Sequence, residues 1–295
     1  MYREITPLIR DAIKRRYELI PYLYSLMLKS HMFAIPPQRW TGWGFEEDKG
    51  VWTTEVMAGE TQYWLGDTLL VGGVYEPGKT SARVYLPRIE HEFPAPGGFG
   101  FPTSYLNLNY PYQHLASGKW VEIQSHWKDS IPLMARLGGA ILVGKGSQTR
   151  APGDRTFNQT RVTEDDYRAV EIFPPPLGSI QCRGRWPTPD DGDEPDTYYG
   201  QVYGTTWYED DGIAAHPEIS SFYISYQCIG DIIMVNFKEG DGNKYQPIWR
   251  DLYVILPVLE KREVAAPAEL EVEKCEDSRG RAVFRLKRRT EEYQL

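Results

Sequence analysis

The sequence is short of several things, and each shortage closes off a class of function. No stretch of about 18 consecutive apolar residues occurs, the length an α-helix needs to cross a bilayer. A helical membrane span is therefore excluded. Cysteine is scarce: Cys182, Cys228 and Cys275 are widely spaced and odd in number, so they make neither a disulfide framework nor a zinc site. Buried free thiols are the expectation, and the redox compartment stays open. Positive charge is in deficit, with a formal net charge of −8. Nucleic-acid binders concentrate Lys and Arg to neutralise phosphate, so no nucleic-acid partner is expected. The one basic cluster, Arg285 to Arg289, is predicted to decorate a solvated edge strand. Arg3 and Glu4 follow Met1 with no apolar run behind them, so no signal peptide is legible.

Nucleophile and metal signatures are also missing. His31, His91, His114, His126 and His216 are scattered without ligand spacing. There is no Gly-x-Ser-x-Gly and no cysteine beside a glycine-rich turn. No metal and no cofactor are expected.

What the sequence does hold is aromatic side chains and punctuation. It has 20 Tyr and 9 Trp for large cores, and 22 Pro with 27 Gly to bound many short strands. Its 295 residues suffice for two domains of ordinary size. The expected fold class is mainly β: two antiparallel β-sandwich domains preceded by a long helix.

The stretch Gln62 to Pro87 anchors that reading. Leu65, Leu69, Leu70, Val71 and Val74 form one strand-like run, and Val84, Tyr85 and Leu86 form another. Glu76-Pro77-Gly78-Lys79 between them carries turn chemistry, which predicts an antiparallel pair with a buried face. Ahead of it, residues 6 to 34 read as helix, with Thr6 as N-cap, Pro7 in the first turn and Pro21 kinking or splitting the helix. Leu8, Ile9, Ala12, Ile13, Ile20, Leu23 and Met27 follow helical spacing and need a partner surface. Residues 35 to 60 read as an irregular strand and loop. There Trp40, Trp43 and Trp52 either stack on sugar rings or cover a core lacking regular structure, and the second is the expectation.

Residues 89 to 117 read as a long insertion rich in Pro, Gly and aromatics. Val121 and Ile123, then Ala140 to Val143, return to strands, and Gly146 to Asp154 has linker composition. Beyond it, strands are expected at 169–173, 201–208, 220–228, 231–237, 252–256 and 282–287, making a second antiparallel sandwich. Pro187 to Asp196 is an acidic surface loop, and Asn158-Gln159-Thr160 fits an N-glycosylation acceptor. The domain division is therefore 1–34 helix, 35–146 first sandwich and 147–295 second sandwich.

Four segments, in order, resemble the retaining α-glucosidases of glycoside hydrolase family 31. Arg16 to Leu26 is similar to the family's last barrel helix. Gly66-Asp67-Thr68-Leu69-Leu70-Val71 with the Pro-Gly turn and Tyr85-Leu86-Pro87 resembles the segment just past the barrel. Pro132 to Ile141 resembles the strand closing the first C-terminal domain, and Trp207 to Gly212 a turn in the second. Arg39 matches the family's arginine at the start of the first C-terminal domain, although Trp40 and Thr41 stand where Pro and Leu are usual. The family's Trp-Tyr-Asp-like element is delayed here to Lys119-Trp120-Val121, or lost.

The resemblance implies a fragment of a hydrolase of carbohydrate metabolism, cleaving terminal α-linked sugars with retention. Such chemistry needs two carboxyl groups about 5 Å apart. In the family both are barrel aspartates that precede the last helix, so the resemblance assigns no catalytic residue to this chain. It also makes the α-linked glycoside a partner only through the absent barrel. The acidic residues actually present read as structure. Glu209-Asp210-Asp211-Gly212 carries tight-turn chemistry, ahead of Glu164-Asp165-Asp166 and Asp190-Asp191, and none has calcium-loop spacing. The alternatives are a non-catalytic carbohydrate-binding or interaction protein whose Tyr105 to Tyr112 rings stack on glycans, or the product of an incomplete gene model.

Overall fold

The computed structural model describes residues 3–88, 103–126, 131–145, 166–179, 182, 201–214, 216–275, 277 and 279–288. Its regular elements begin with the helices α1 (Thr6–Glu18) and α2 (Ile20–Phe33). Strands β1 (Gln38–Arg39), β2 (Gln62–Leu65), β3 (Leu69–Gly72), β4 (Ser81–Leu86), β5 (Thr103–Asn107), β6 (His114–Ala116), β7 (Lys119–Gln124) and β8 (Leu133–Arg136) follow, with the short helix α3 (Thr54–Met57) before β2. A second series comprises β9 (Ala140–Val143), β10 (Arg168–Ile172), β11 (Val202–Glu209), β12 (Ser220–Ile229), β13 (Ile232–Glu239), β14 (Leu252–Ile255), β15 (Glu263–Ala265), β16 (Leu270–Cys275) and β17 (Val283–Arg288). The chain is mainly β, as its punctuation implies.

Proline splits the N-terminal helix. Pro21 has no N–H to continue the ladder, so α1 stops at Glu18 and α2 restarts with Pro21 in its first turn. Thr6 is already helical and the flanking position is Ile5, without a side-chain cap bond, which corrects the expectation of a Thr6 cap. Downstream, Ala34 ends α2 in the left-handed region at φ 56°, its N–H donating to the Ser30 carbonyl.

The first sandwich sets a six-stranded sheet, in the order β1-β2-β3-β8-β5-β6, against the two-stranded sheet β4-β7. Trp64, Leu70, Val84, Leu86, Tyr105 and Met134 fill the space between them. Strand β3 is buried along its whole length because both its faces are covered. Leu70 points into this core, while Leu69 packs with Tyr22 and Leu26 of α2. Hence the run reads as continuous rather than alternating. Gln62 fastens the two sheets: its buried amide donates to the Tyr85 carbonyl at 2.8 Å and accepts from the Tyr85 N–H at 2.7 Å.

The apolar runs flanking Glu76 to Lys79 are not a paired hairpin: β3 pairs with β2 and β8, whereas β4 pairs with β7. The turn forms, with Lys79 N–H donating to Glu76 O, but it carries the chain across the core from one sheet to the other. The hairpin is instead β2–β3, turned at Gly66 with φ +65°. Residues 103–117 of the expected insertion are also partly regular. They supply β5 and β6, and β5 is hydrogen-bonded between β8 and β6. Residues 89–102 lie outside the described ones.

The second series builds a five-stranded sheet, β16-β17-β14-β10-β9, and a four-stranded sheet, β11-β12-β13-β15. Trp207, Phe222, Ile224, Tyr226, Val254 and Phe284 are buried in the core they share with α2. Trp207 stacks on Phe222 at 5.5 Å and on Phe237 at 5.9 Å. Six expected strands are present. Strands β15 and β16 were not expected; β16 alternates Leu270 and Val272 with Glu271 and Glu273. Pairing is not wholly antiparallel, because β10–β14 and β13–β15 are parallel. Strand β17, which carries Arg285, lies between β16 and β14 rather than at an edge. Its cations are held by acidic neighbours: Arg285 by Asp251, and Lys287 by Glu273. Strand β9, before residue 146, already pairs with β10, so the chain changes sheets at residues 137–139. Gly146 itself lies outside the described residues.

Candidate functional site

The acidic turn after β11 holds the best local cluster of carboxylates, and the fold consumes each of them differently. The Glu209 carboxylate accepts from Arg168 Nε at 2.8 Å and Nη2 at 3.1 Å, from Trp207 Nε1 at 2.9 Å and from Trp249 Nε1 at 3.0 Å. Both oxygens are occupied in a buried environment, which leaves no lone pair for a reacting sugar. Asp210, also buried, accepts the Tyr24 hydroxyl at 2.6 Å and the Gly212 N–H at 2.7 Å. Asp211 is exposed and accepts the Ile213 and Ala214 N–H groups, which hold its carboxyl below the usual range. Gly212 sits at φ +63°, as an Asp-Gly turn requires. The turn is not a tight hairpin, however: Glu209 pairs with Ser220, and residues 210–219 make a longer connection.

This turn docks on α2. Ser25 Oγ accepts the Tyr208 N–H at 3.0 Å, and Phe33 meets the Tyr208 ring at 5.8 Å. On its other side α2 reaches the first sandwich, where the Tyr22 hydroxyl donates to the Leu65 carbonyl at 2.9 Å. Gly66 sits under that hydroxyl, and a Cβ there would collide with it. The Glu18 carbonyl takes the Gly144 N–H, just past β9, at 2.7 Å. The helix pair is thus wedged between the two sandwiches.

A buried ionic network, not anticipated from sequence, reinforces the wedge. Glu171 of β10 accepts from Arg15 at 2.9 Å through both terminal nitrogens and from Arg281 at 2.6 Å. Glu18 accepts from Arg15 at 3.0 Å and from Arg279. Burial pushes the Glu171 carboxyl up, but Arg15 and Arg281 outweigh it and hold the group below the usual range. The five residues come from three distant segments, and only α1 with its Arg15–Glu18 spacing gave any local signal.

Arg39 forms the other end of the wedge. Its Nε donates to the Pro36 carbonyl at 2.8 Å and its Nη1 pairs with Asp67, while its buried Nη2 has no partner among the described residues. Lys29 of α2 also reaches Asp67, at 3.1 Å.

The aromatic loop gives no sugar platform. Trp40 packs on Val51, Val56 and Tyr85, and tilts by 57° against Trp52. Trp43 is half-exposed beneath Arg39. In the insertion, Tyr105 is fully buried, and Tyr110 and Tyr112 stand at 88° to each other. Solvent-facing coplanar rings are therefore not what this stretch presents, which counts against glycan stacking there. A cleft of about 230 Å³ lies beside Phe45, Asp48, Arg88 and Arg136. It is smaller than the ~300–1,000 Å³ of ordinary ligand pockets.

Among the described residues, no three His, Cys, Asp or Glu side chains converge as metal ligands, and no helix is long and apolar enough to cross a membrane. Cys182 and Cys228 are buried and free, whereas Cys275 is only half-buried. Of the remaining acidic candidates, Glu164, Asp165, Asp190 and Asp191 lie outside the described residues, as does Asn158-Gln159-Thr160.

Comparison with known proteins agrees with this geometry. Residues 34–142 match the model for the glycosyl hydrolase family 31 C-terminal domain. The chain is 40% identical to neutral alpha-glucosidase C of Mus musculus over 84 residues, 28% of this chain and 9% of that protein. It is 32% identical to a probable glucan 1,3-alpha-glucosidase of Oryza sativa subsp. japonica over 165 residues, 56% of this chain and 15% of that one. Among solved structures, a family 31 dextranase of Flavobacterium johnsoniae superposes with a TM-score of 0.62 at 17% identity, over 96% of this chain and 33% of the dextranase. The alpha-1,4-glucan lyase of Gracilariopsis lemaneiformis gives 0.59 at 15% identity, over 96% of this chain and 24% of the lyase. These two likenesses show the fold, and the chain spans a third or less of each molecule. Residues 34–142 thus match the C-terminal domain of glycosyl hydrolase family 31, and the chain is similar to the C-terminal portion of that family's members.

Proposed function

We propose that this chain is the C-terminal β-sandwich region of a retaining α-glucosidase-like hydrolase, bracing a catalytic barrel that supplies both catalytic carboxylates. The substrate of the whole enzyme is a terminal α-linked glycoside, bound by the barrel. Helices α1 and α2 form the joint, residues 35 to about 137 the near sandwich and the rest the far one. We place the change near 137 rather than 146 because β9 pairs with β10.

One observation carries the reading. The helix pair is fixed to both sandwiches on one side, yet Ile9, Ile13, Ile20, Met27 and Phe33 on it remain exposed. Each buried isoleucine contributes about 1.5–3 kcal/mol, so a row of them is built to meet another apolar surface. The family resemblance supplies that surface as the barrel. The carboxylates of Glu209, Glu171 and Glu18, occupied at both oxygens, support the same reading, since none is free to act as nucleophile or acid.

The test is hydrolysis of an aryl α-glucoside by the 295-residue chain, beside the same chain extended upstream through a family 31 barrel. Activity in the extended protein alone is expected. Turnover by the short chain that survives Asp210→Asn and Asp211→Asn would overturn the reading, and turnover abolished by them would move catalysis to the acidic turn.

A further inference from the structure

The segment following β10 returns to meet β12 through Cys182. Its N–H donates to the Ser179 carbonyl at 3.0 Å, and its carbonyl accepts the Gly230 N–H at 3.3 Å, just past the end of β12. Its sulfur is a point of convergence. Arg262 Nη1 donates to Sγ at 3.3 Å and Ser179 Oγ at 3.4 Å, and Cys228 of β12 lies in the same buried cluster, two residues before the Gly230 that binds the Cys182 carbonyl. Arg262 is held there on every side: Nε and Nη2 bind Glu260 at 2.9 and 2.6 Å, and Nη2 also reaches the Pro175 carbonyl at 2.6 Å. A guanidinium fixed in this way cannot swing off the sulfur. Structural buried cysteines are ordinarily inert and need no donors; here a guanidinium and a hydroxyl are aimed at one sulfur and favour its anion, opposed by the Pro175 and Pro176 carbonyls, which accept from the thiol at 3.6 Å.

We propose that Cys182 and Cys228 form a peroxide-oxidisable dithiol, with Cys182 attacking and Cys228 resolving, and that oxidation ties the segment after β10 to β12. The Cys182 thiolate attacks one oxygen of hydrogen peroxide and the O–O bond breaks. The departing hydroxide takes a proton and leaves as water, and Cys182 becomes a sulfenic acid, oxidised by two electrons. The Cys228 sulfur then attacks the Cys182 sulfur. The S–S bond forms, the S–O bond breaks, and a second water leaves with the Cys228 proton. In sum, two thiols and one peroxide give one disulfide and two waters.

The division of roles has an electrostatic basis. The neighbouring Cys228 thiol, with the Ser179 and Arg262 donors, outweighs desolvation and pulls the Cys182 thiol below the ordinary range. The same neighbour and burial push Cys228 up, so it keeps its proton until the sulfenic acid forms. Cys275, on β16, has no cation on its sulfur among its described partners and donates only to the Glu273 carbonyl.

The experiment is a titration of the reduced, unsubstituted chain with substoichiometric hydrogen peroxide, followed by alkylation of the remaining thiols and peptide mapping by mass spectrometry. A peptide joined through Cys182 and Cys228 is expected, with Cys275 still alkylated and the link reversed by dithiothreitol. In Cys228→Ser, dimedone should trap a sulfenic acid on Cys182. In Cys182→Ser, oxidation of Cys228 should be at least tenfold slower. Consumption of Cys275 without a Cys182–Cys228 peptide would overturn the proposal, as would a link that forms only in denaturing urea.

Discussion

Four N–H donors converge on Glu209, and a carboxylate so occupied is a structural group whatever its neighbours in sequence suggest. Its side chain and that of Arg168 are both almost wholly buried. Removing the charge of one leaves the other unpaired, a loss of about 3–5 kcal/mol. Glu209→Gln is therefore expected to lower the urea midpoint sharply, whereas Asp211→Asn, two residues on and in solvent, should leave it unmoved. Glu171 gives a pH signature. Its carboxyl lies below the ordinary 4.5 in the folded chain, so the folded state binds that proton less readily than the unfolded one. The stabilisation is complete above about pH 4.5 and is lost as pH falls through the lower folded value. Urea titrations between pH 7 and 3 should show a steep acid limb that flattens in Glu171→Gln. None of this was readable in the sequence. Arg15, Arg281 and Glu171 are ordinary surface-type residues until three distant segments meet, and the sequence signal at 209–212 was turn chemistry alone.

At the scale of elements, the helix pair and the β2–β3 hairpin illustrate two kinds of legibility. Proline chemistry alone predicts the break between α1 and α2, since Pro21 lacks the donor the ladder needs. The partner of β3 is a different matter. Two apolar runs separated by Pro-Gly look the same whether the turn closes a hairpin or crosses a sandwich, because the turn sets a local direction and not a hydrogen-bond partner. Gly66 records the real hairpin. It needs φ +65° and lies against the Tyr22 hydroxyl, so Gly66→Ala adds both backbone strain and a clash. A loss of more than about 1 kcal/mol is expected, measured by chemical denaturation, and a neutral result would mean that α2 does not press on the hairpin. The same hydroxyl donates to Leu65 O, so Tyr22→Phe offers a milder comparison at the same joint.

For the molecule as a whole, two closed sandwiches and one half-covered helix pair predict how the isolated chain behaves. Ile9 and Ile13 are 51% and 46% exposed on consecutive turns of α1. The chain should self-associate at high concentration, and the double variant Ile9→Glu with Ile13→Glu should remain monomeric in sedimentation velocity with an unchanged melting temperature. In a protein carrying the barrel the same pair of changes should instead lower stability, since charges would then enter an interface. An unchanged association state would detach this face from any partner role. A run of cations suggested an exposed edge, but sheet order puts β17 inside, with Asp251 and Glu273 on its flanking segments to receive Arg285 and Lys287.

Local sequence accounts for the β-rich class, most strand positions, the helix break and, through short ordered segments, the resemblance to family 31. These depend on local quantities: side-chain alternation, glycine and proline torsions, and the composition of turns. Tertiary structure decided which strand pairs with which, where one sheet gives way to the next, and which charged groups are spent on the fold. Those outcomes depend on distances between residues as far apart as Glu18 and Arg279, set by packing across the whole chain, and no window of sequence contains them. The convergence of Cys182, Cys228 and Arg262 on one sulfur is of the same kind, because the loop after β10, strand β12 and the segment before β15 meet only when the second core closes.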